Sequence, residues 1–210
     1  MSGFSQALLE DWSDQLTGDA RTYLDQITLA SRKMGDLIDA LLELSRSTRG
    51  DMRHDSVDLS ALADQVVNEL IRSEPERRVS VSVASDLKAC GDARMLEALL
   101  RNLLSNAWKY TAHTDAAEIR VFAEAHDGGT RFCVSDNGAG FAMSHAGKLF
   151  KPFQRLHRQD EFPGIGIGLA TAQRIVHRHG GVMEANGELG SGARFCFTLP
   201  PVPADECQAP

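Results

Sequence analysis

The feature that most constrains this chain is an apolar stripe in its first quarter. Apolar residues recur there at alternating spacings of four and three, namely Tyr23, Ile27, Ala30, Met34, Leu37, Leu41 and Leu44. This spacing is typical of the buried seam of a coiled-coil-like helix. Leu24, Ile38 and Leu42 flank the seam and make it wider than a two-stranded zipper requires. A four-helix bundle accommodates such a stripe, because each of its helices contacts two neighbours.

A shorter apolar stripe precedes this helix and provides one of the partners it needs. Its members are Phe4, Leu8, Trp12 and Leu16. The following Thr17-Gly18-Asp19 predicts a turn that folds residues 2–16 back on residues 20–47 as a helical hairpin. One hairpin supplies two helices, so a four-helix core requires a second copy, and we expect a homodimer. The alternative is that the stripe packs on the globular part of the same chain.

Composition and charge narrow the class of protein. With 42% apolar and 24% charged residues among 210, the chain is long and apolar enough to bury a globular core. Its net charge of -7 argues against a nucleic-acid partner, whose phosphates require a basic surface. No apolar run approaches the roughly 20 residues of a membrane helix, and Met1–Glu10 does not resemble a secretory signal. We therefore expect a soluble, cytoplasmic protein without a membrane segment.

The cysteines are scattered along the chain and show no CxxC spacing. They are Cys90, Cys133, Cys196 and Cys207. This pattern indicates neither a zinc site nor a disulfide framework, and it predicts reduced thiols with a structural role.

A polar segment separates the helical region from a second, globular region. Residues 49–56 contain a glycine and break the heptads, as is typical of a linker. We predict a helical hairpin at 1–48, this linker, a globular domain at 57–200 and a loose tail at 201–210.

The globular domain mixes helices and strands without regular βαβ alternation. Helices are predicted after a cap at Asp58 or Ser60, at about 92–109 and at about 168–179, and strands at 79–83, 119–123, 131–135, 182–185 and 193–199. This order favours an α+β fold, with helices on one face of a mainly antiparallel sheet.

Two glycine-containing motifs stand at ends of predicted elements. Asp136–Phe141 (Asp-Asn-Gly-Ala-Gly-Phe) follows an apolar strand, where its acid can accept a hydrogen bond from an exocyclic amine while the glycines admit a ligand closely. Taken alone, the motif favours the simpler interpretation of an ordinary Asp-Asn-Gly turn. Gly164–Leu169 (Gly-Ile-Gly-Ile-Gly-Leu) opens a helix, where unpaired N–H groups favour phosphate. It is neither a Walker A loop nor a dinucleotide fingerprint.

A third motif occupies the end of the helix predicted at 92–109. Asn102 and Asn106 are four residues apart and therefore share one helical face. An asparagine oxygen can ligate Mg²⁺, the Lys109 ammonium can meet phosphate, and the Tyr110 ring can lie against a base. The structural alternative is a pair of core asparagines that cap loops.

Taken together and in order, the motifs resemble the N, G1, F and G2 boxes of sensor histidine kinases. They read Asn-x-x-x-Asn-Ala-x-Lys-Tyr-Thr, Asp-x-Gly-x-Gly, Lys-Leu-Phe-x-Pro-Phe and Gly-x-Gly-x-Gly-Leu-Ala. Residues 57–199 resemble the Bergerat (GHKL) type of ATP-binding catalytic domain, an α/β sandwich. Residues 3–48 resemble the later part of a dimerization and histidine-phosphotransfer hairpin. The amino-acid sequences of this region and of Phe153–His157 are most similar to those of the output modules of phytochrome-like kinases.

The resemblance implies a role for each matching residue. It makes Asn106 a ligand of Mg²⁺ supported by Asn102, Lys109 a phosphate contact, Tyr110 part of the adenine wall and Asp136 the partner of the adenine amino group. It assigns the rest of the ATP pocket and its short lid to Gly138, Gly140, Phe150, Phe153, Gly164, Gly166, Gly168 and Leu169. Lys151, Arg155 and Arg158 are weaker candidates for phosphate contacts. The implied partners are a response regulator receiver domain and, if the chain is a fragment, an upstream sensor domain.

The sequence departs from the family at the phosphate acceptor. Such kinases carry the acceptor in a His-Asp/Glu-Leu/Ile-Arg-x-Pro motif upstream of the Gly-Phe-Ser stretch, whereas the first histidine here is His54. We expect a fragment of a longer kinase rather than a degenerate relative. The rival function is a non-enzymatic, nucleotide-binding scaffold that docks a response regulator.

Asn102 also separates this chain from the hydrolytic branch of the resemblance. Gyrase, Hsp90 and MutL-like ATPases carry a glutamate four residues before the magnesium asparagine, and an amide cannot act as that general base. Phosphoryl transfer to a protein histidine is therefore favoured over hydrolysis.

Overall fold

The computed structural model of this chain describes residues 7–8, 12, 16–46, 52–127, 129–158, 161–200 and 207. Side chains are described in that set except at 32–33 and 36–46. The chain divides into two compact units, Met1–Ser45 and Arg46–Pro210. The finer boundaries expected for a hairpin, a linker and a tail stay predictions.

The first unit is described mainly by one long helix, α1 (Gly18–Arg46), as the apolar stripe predicts. The Oγ1 atom of Thr17 accepts a hydrogen bond from the Ala20 N–H (3.4 Å) at its start. The turn expected at Thr17-Gly18-Asp19 is therefore wrong in extent, because Gly18 and Asp19 lie in the helix, where an acidic first turn is favourable. Most of residues 2–16 lie outside the described residues, so the hairpin remains a prediction.

The second unit is built on a five-stranded sheet of order β2-β4-β5-β7-β6. Its strands are β2 (Val79–Val83), β4 (Ala117–His126), β5 (Gly129–Asp136), β6 (Met183–Glu188) and β7 (Gly192–Thr198). β2 runs parallel to β4 and the other pairs are antiparallel, which confirms the mainly antiparallel sheet. A separate pair, β1 (Asp55–Asp58) with β3 (Lys88–Gly91), was not predicted, because these four-residue strands show no apolar alternation.

The described residues of this unit form three α-helices: α2 (Leu59–Ser73), α3 (Ala93–Tyr110) and α4 (Gly168–Arg178). A short 3-10 helix lies at Met143–Lys148. Asp58 caps α2 by accepting a hydrogen bond from the Ala61 N–H (3.0 Å), which decides between the two predicted caps. Fully buried side chains from the helices and the sheet form one core: Leu59, Val66, Leu96, Leu99, Leu100, Leu103, Leu104, Ile119, Val134, Ile175, Val176 and Phe197.

The prediction of reduced cysteines is wrong. Cys133 and Cys196 form a disulfide, and Cys90 is bonded to Cys207. Cys133 and Cys196 stand directly opposite each other in the β5–β7 ladder, with their Cα atoms 4.1 Å apart. The sequence spacing could not reveal this, because the 63-residue separation contains a helix and the β6 strand.

Within the part of the chain that the structure describes, every helix is too short or too polar to cross a bilayer.

Candidate functional site

Helix α3 holds the asparagine motif and is fixed at both ends. At its start the Asp92 carboxylate accepts hydrogen bonds from the N–H groups of Arg94 (3.1 Å) and Met95 (3.4 Å). At its end the Thr111 hydroxyl donates to the Ala107 carbonyl (2.8 Å), and the Arg77 guanidinium donates to the same hydroxyl oxygen (2.9 Å). The leucines of α3 are buried, so the opposite, polar face of its last turns is held in a defined orientation.

The polar side chains of this face contact one another and the neighbouring glycine loop. The Lys109 ammonium donates to the Asn106 Oδ1 atom (3.1 Å). The Asn102 amide donates to the Ala98 carbonyl (2.8 Å), which turns its oxygen toward the start of α4. A Cβ atom at Gly168 would come within 2.7 Å of that oxygen, so a glycine is needed there for close packing.

Lys109 lies in a partly desolvated position. Its Nζ atom is 4.4 Å from the centroid of the Tyr110 ring, and a Cβ atom at Gly164 would be 3.4 Å from it. Burial, with a smaller contribution from the charge of Arg155, lowers the pKa of Lys109 to about 8. A phosphate group at this position would give the ammonium a negatively charged partner.

The acidic motif begins at the end of β5. Asp136 lies opposite Ala193 in the β5–β7 ladder, and its carboxylate accepts hydrogen bonds from the N–H groups of Gly138 (2.9 Å) and Ala193. The side chain is largely buried, and this burial raises the pKa of Asp136 to about 6 in spite of those hydrogen bonds. A buried carboxylate with unused acceptor capacity is suited to an amine donor.

The glycines of this loop allow two close backbone approaches. The Ala139 N–H donates to the Tyr110 carbonyl (3.0 Å), and a Cβ atom at Gly138 would meet that carbonyl oxygen at 2.3 Å. Gly140 has a φ of +59°, and a Cβ atom there would clash with the Glu188 carbonyl oxygen. The loop is thus pressed against the end of α3 on one side and the β6–β7 turn on the other.

The lid, which is the segment from Phe150 to the residue before Gly164, contacts the second glycine loop (Gly164–Leu169). The Phe153 N–H donates to the Gly166 carbonyl (2.9 Å), and Phe153 is half exposed. The Arg155 guanidinium donates to the carbonyls of Gly164 (2.8 Å) and Phe162. Arg155, a weak candidate for a phosphate contact, therefore braces the lid backbone in this structure.

The remaining predicted residues are placed less centrally. Phe150 lines a cavity of about 570 Å³ with Gln173 of α4 and Met183 of β6. Leu169 packs against the hydrophobic core, and the side chain of Lys151 is exposed. The Arg158 carbonyl accepts a hydrogen bond from Arg155 (3.4 Å).

Two aromatic lid residues join the site although the motifs did not single them out. The His157 Nε2 atom is 2.8 Å from the Gly140 carbonyl oxygen. The ring of Phe162, 5% exposed, lies edge-on to Tyr110 with 5.0 Å between centroids. The resemblance included His157 in the Phe153–His157 stretch without giving it a role, and Phe162 lies in a segment without periodicity, so no pattern pointed to it.

All four motifs therefore meet. The end of α3 contacts the Asp136 loop through the Ala139–Tyr110 hydrogen bond, and it contacts the second glycine loop at the positions of Gly164 and Gly168. The lid contacts the second glycine loop through Phe153 and the Asp136 loop through His157. These contacts bring together a buried acid, a half-buried ammonium and asparagine oxygens from residues that are distant in sequence.

Comparison with known proteins agrees with this arrangement. Residues 91–203 match the family model for histidine kinase-, DNA gyrase B-, and HSP90-like ATPases. Cyanobacterial phytochrome A of a Nostoc species is 28% identical over 95% of this chain and 26% of the relative. The circadian input-output histidine kinase CikA of Synechococcus elongatus is 32% identical over 94% of this chain and 27% of the relative. The chain thus spans about a quarter of the length of these relatives.

Solved structures show the same fold. Full-length ShkA in complex with AMPPNP has 28% identity and a TM-score of 0.67, covering 94% of this chain and 42% of that one. The mycobacterial sensor histidine kinase MprB, at 23% identity and a TM-score of 0.59 over 70% of this chain and 97% of that one, supports the fold alone. The family match covers more than half of the chain and includes the asparagine motif and both glycine loops. The chain therefore belongs to the histidine kinase-, DNA gyrase B- and HSP90-like ATPases and contains an ATP-binding catalytic domain of the sensor histidine kinase type.

Proposed function

We propose that this chain is the catalytic module of a two-component sensor histidine kinase. It binds ATP with Mg²⁺ and transfers the γ-phosphate to a histidine on a dimerization bundle, for relay to an aspartate of a response regulator. The observation that carries the proposal is the direct contact among the four motifs, through hydrogen bonds such as Ala139–Tyr110 and Phe153–Gly166.

Nucleotide recognition rests on two buried groups of opposite charge. The Asp136 carboxylate, deprotonated above a pKa of about 6, accepts a hydrogen bond from the exocyclic amine of adenine. The Lys109 ammonium, which packs over the Tyr110 ring, binds the phosphates. The spacing of these groups along α3 and β5 sets the orientation of the nucleotide, with its base toward Asp136 and its phosphates toward α4.

Magnesium fits the donor set at the end of α3. The Asn106 Oδ1 atom is a neutral oxygen ligand, and it already accepts a hydrogen bond from the Lys109 cation. Asn106 would hold the ion together with the nucleotide phosphates, while Asn102 supports the site from the preceding turn. The ion would neutralise charge on the transferring phosphoryl group.

The acceptor of the phosphoryl group is a protein side chain rather than water. The Asn102 side chain donates to the Ala98 carbonyl, and a carboxamide cannot take a proton from an attacking water. Without a general base on this face of α3, the module positions ATP for attack by an external nucleophile, such as a histidine imidazole.

Dimerization presents that nucleophile. Tyr23, Ile27 and Met34 of the α1 stripe are exposed in the single chain, with 67%, 47% and 46% of their surfaces accessible. A second copy of the chain would cover this stripe in a four-helix bundle, and the response regulator would dock on the same bundle. The rival proposal is a non-enzymatic dimeric scaffold that binds nucleotide and docks a response regulator.

Phosphoryl transfer in trans tests the proposal. The chain is mixed with a longer form of the same kinase that carries an acceptor histidine and Asn106→Ala, and labelled phosphate is followed from ATP. We expect acid-labile label on the longer chain. We expect none when this chain carries Asp136→Ala, and full label with Asp64→Ala, the same substitution at an exposed position. Confirmed ATP binding and heterodimer formation without label would favour the scaffold.

A further inference from the structure

His157 joins the lid to the Asp136 loop through a hydrogen bond. Its Nε2 atom is 2.8 Å from the Gly140 carbonyl oxygen. A carbonyl oxygen can only accept, so the Nε2 atom carries the hydrogen and donates it. His157 is half-buried and lies in the lid, seventeen residues from its partner.

The partner of His157 is a rigid anchor. The loop that contains Gly140 is held by the Ala139–Tyr110 hydrogen bond (3.0 Å), and the Ala139 carbonyl accepts a hydrogen bond from the Gly190 N–H (2.8 Å). The loop also follows Asp136 directly. A lid that is hydrogen-bonded to Gly140 is therefore attached to the loop whose Asp136 is proposed to bind the adenine amine.

Ring contacts extend the attachment to the asparagine motif. The His157 ring lies 5.2 Å from the Tyr110 ring and 5.3 Å from the Phe162 ring, measured between centroids. The Phe162 ring is also 5.3 Å from that of His113, just beyond the end of α3. The Arg155 guanidinium, two residues before His157, donates to the carbonyls of Phe162 and Gly164.

We propose that His157 is a positioning residue that latches the lid onto the Gly140 carbonyl and thereby links order in the lid to nucleotide binding. This inference rests on the proposed function, because it concerns the same ATP site. The latch holds the lid closed over the bound nucleotide, and its hydrogen bond, rather than the aromatic ring, is the decisive part. Loss of the N–H donor frees the lid and weakens binding without altering the core.

Three substitutions separate the donor from the ring. His157→Gln keeps an N–H donor at the same distance from Cβ, His157→Phe keeps an aromatic ring without a donor, and His157→Ala removes both. Titration calorimetry with ADP should give an affinity about fivefold to tenfold lower for His157→Ala and His157→Phe, the scale of one hydrogen bond, and nearly full affinity for His157→Gln.

Hydrogen exchange without nucleotide provides a second readout. Exchange at the Phe153 amide and its lid neighbours should be faster in His157→Ala and His157→Phe than in wild type or His157→Gln, while β5 amides stay equally protected. Unchanged lid exchange in His157→Ala, full ADP affinity in that variant, or retention by His157→Phe with loss in His157→Gln would each overturn the latch. If wild type binds no ADP, the proposed function fails, and the exchange comparison still decides on the latch.

Discussion

At the scale of single residues, the site is marked by two groups whose ionisation opposes folding. Burial raises the pKa of Asp136 to about 6 and lowers that of Lys109 to about 8. Each charged form lacks a full complement of partners in the free protein. In the proposed complex, a nucleotide would bring the amine donor to Asp136 and the phosphate anion to Lys109, so the residues proposed to recognise it are ones that weaken the free fold.

The first prediction concerns stability around Asp136. Its folded pKa lies above the ordinary value of 3.8, so the native state binds more protons than the unfolded state between about pH 4 and 6. The free energy of unfolding therefore falls as pH rises through this window. Asp136→Asn should be about 2–3 kcal/mol more stable than wild type at pH 8 and equally stable at pH 4.

Urea unfolding at both pH values measures this difference, with the exposed Asp127→Asn as a control of similar charge change. An Asp136→Asn variant that gains nothing at pH 8 relative to pH 4 would contradict the burial of an ionised carboxylate.

The second prediction concerns the proton on Lys109. With a pKa of about 8, the Lys109 amine is about half protonated at pH 8 in the protein without nucleotide. A bound phosphate raises that pKa. ADP binding at pH 8 should therefore take up about half a proton. Calorimetry in buffers of different ionisation enthalpy measures this uptake. Lys109→Met should abolish it, and an uptake that persists in the variant would assign the proton to another group.

At the scale of elements, the β5–β7 pair connects the acidic loop to the rest of the sheet. Asp136 lies opposite Ala193, and three residues earlier Cys133 is bonded to Cys196 in the same register. Cys133 and Cys196 are 0% and 4% exposed, so the bond crosses a dry part of the ladder. It fixes the register of the two strands whose ends carry the Asp136 carboxylate and its Ala193 donor.

The third prediction is that this disulfide contributes to stability. It closes a loop of 63 residues, and reduction should lower the free energy of unfolding by about 2–4 kcal/mol. Urea unfolding with and without reductant measures the change, which should shrink in a Cys133→Ala, Cys196→Ala double variant that retains the Cys90–Cys207 bond. Thiol titration in guanidinium without reductant should find no free thiols, and four of them would contradict both bonds.

How much of the elements could be predicted depends on whether the signal is local. The leucine-rich α3 and the strands β4 and β5 follow from periodicity, and the structure confirms them. The β1–β3 pair has no such signal, because β1 contains one apolar residue, Val57. The disulfides and the His157 contact depend on which strands and loops become neighbours, which local patterns do not encode.

The candidate site follows the same division. The resemblance singled out Asn106, Lys109 and Asp136 because chemistry-bearing residues stand at fixed spacings within each motif. The sequence does not contain the tertiary contacts of the lid, so it missed Phe162 against Tyr110 and the bracing of the lid by Arg155.

At the scale of the whole molecule, the residues proposed to bind ATP and the stripe proposed for dimerization belong to different units of the chain. Every residue of the four motifs lies in the unit Arg46–Pro210, whereas the exposed apolar stripe lies in Met1–Ser45. The proposed nucleotide site thus consists of residues of the second unit alone. Nucleotide affinity is therefore expected to be independent of chain concentration, whereas the proposed phosphoryl transfer would depend on association with a second copy.

The most direct test of the central claim is calorimetric titration of the whole chain with ATP, with and without Mg²⁺. The account predicts saturable binding that Mg²⁺ strengthens. Asn106→Ala should remove the magnesium-dependent part, and Asp136→Ala should weaken ATP and ADP alike by about 1.5–3 kcal/mol, the scale of a hydrogen bond to a charged group. Equal affinities for wild type and Asp136→Ala would contradict the assignment of the four motifs as the ATP site. Binding that neither Mg²⁺ nor Asn106→Ala changes would contradict it as well.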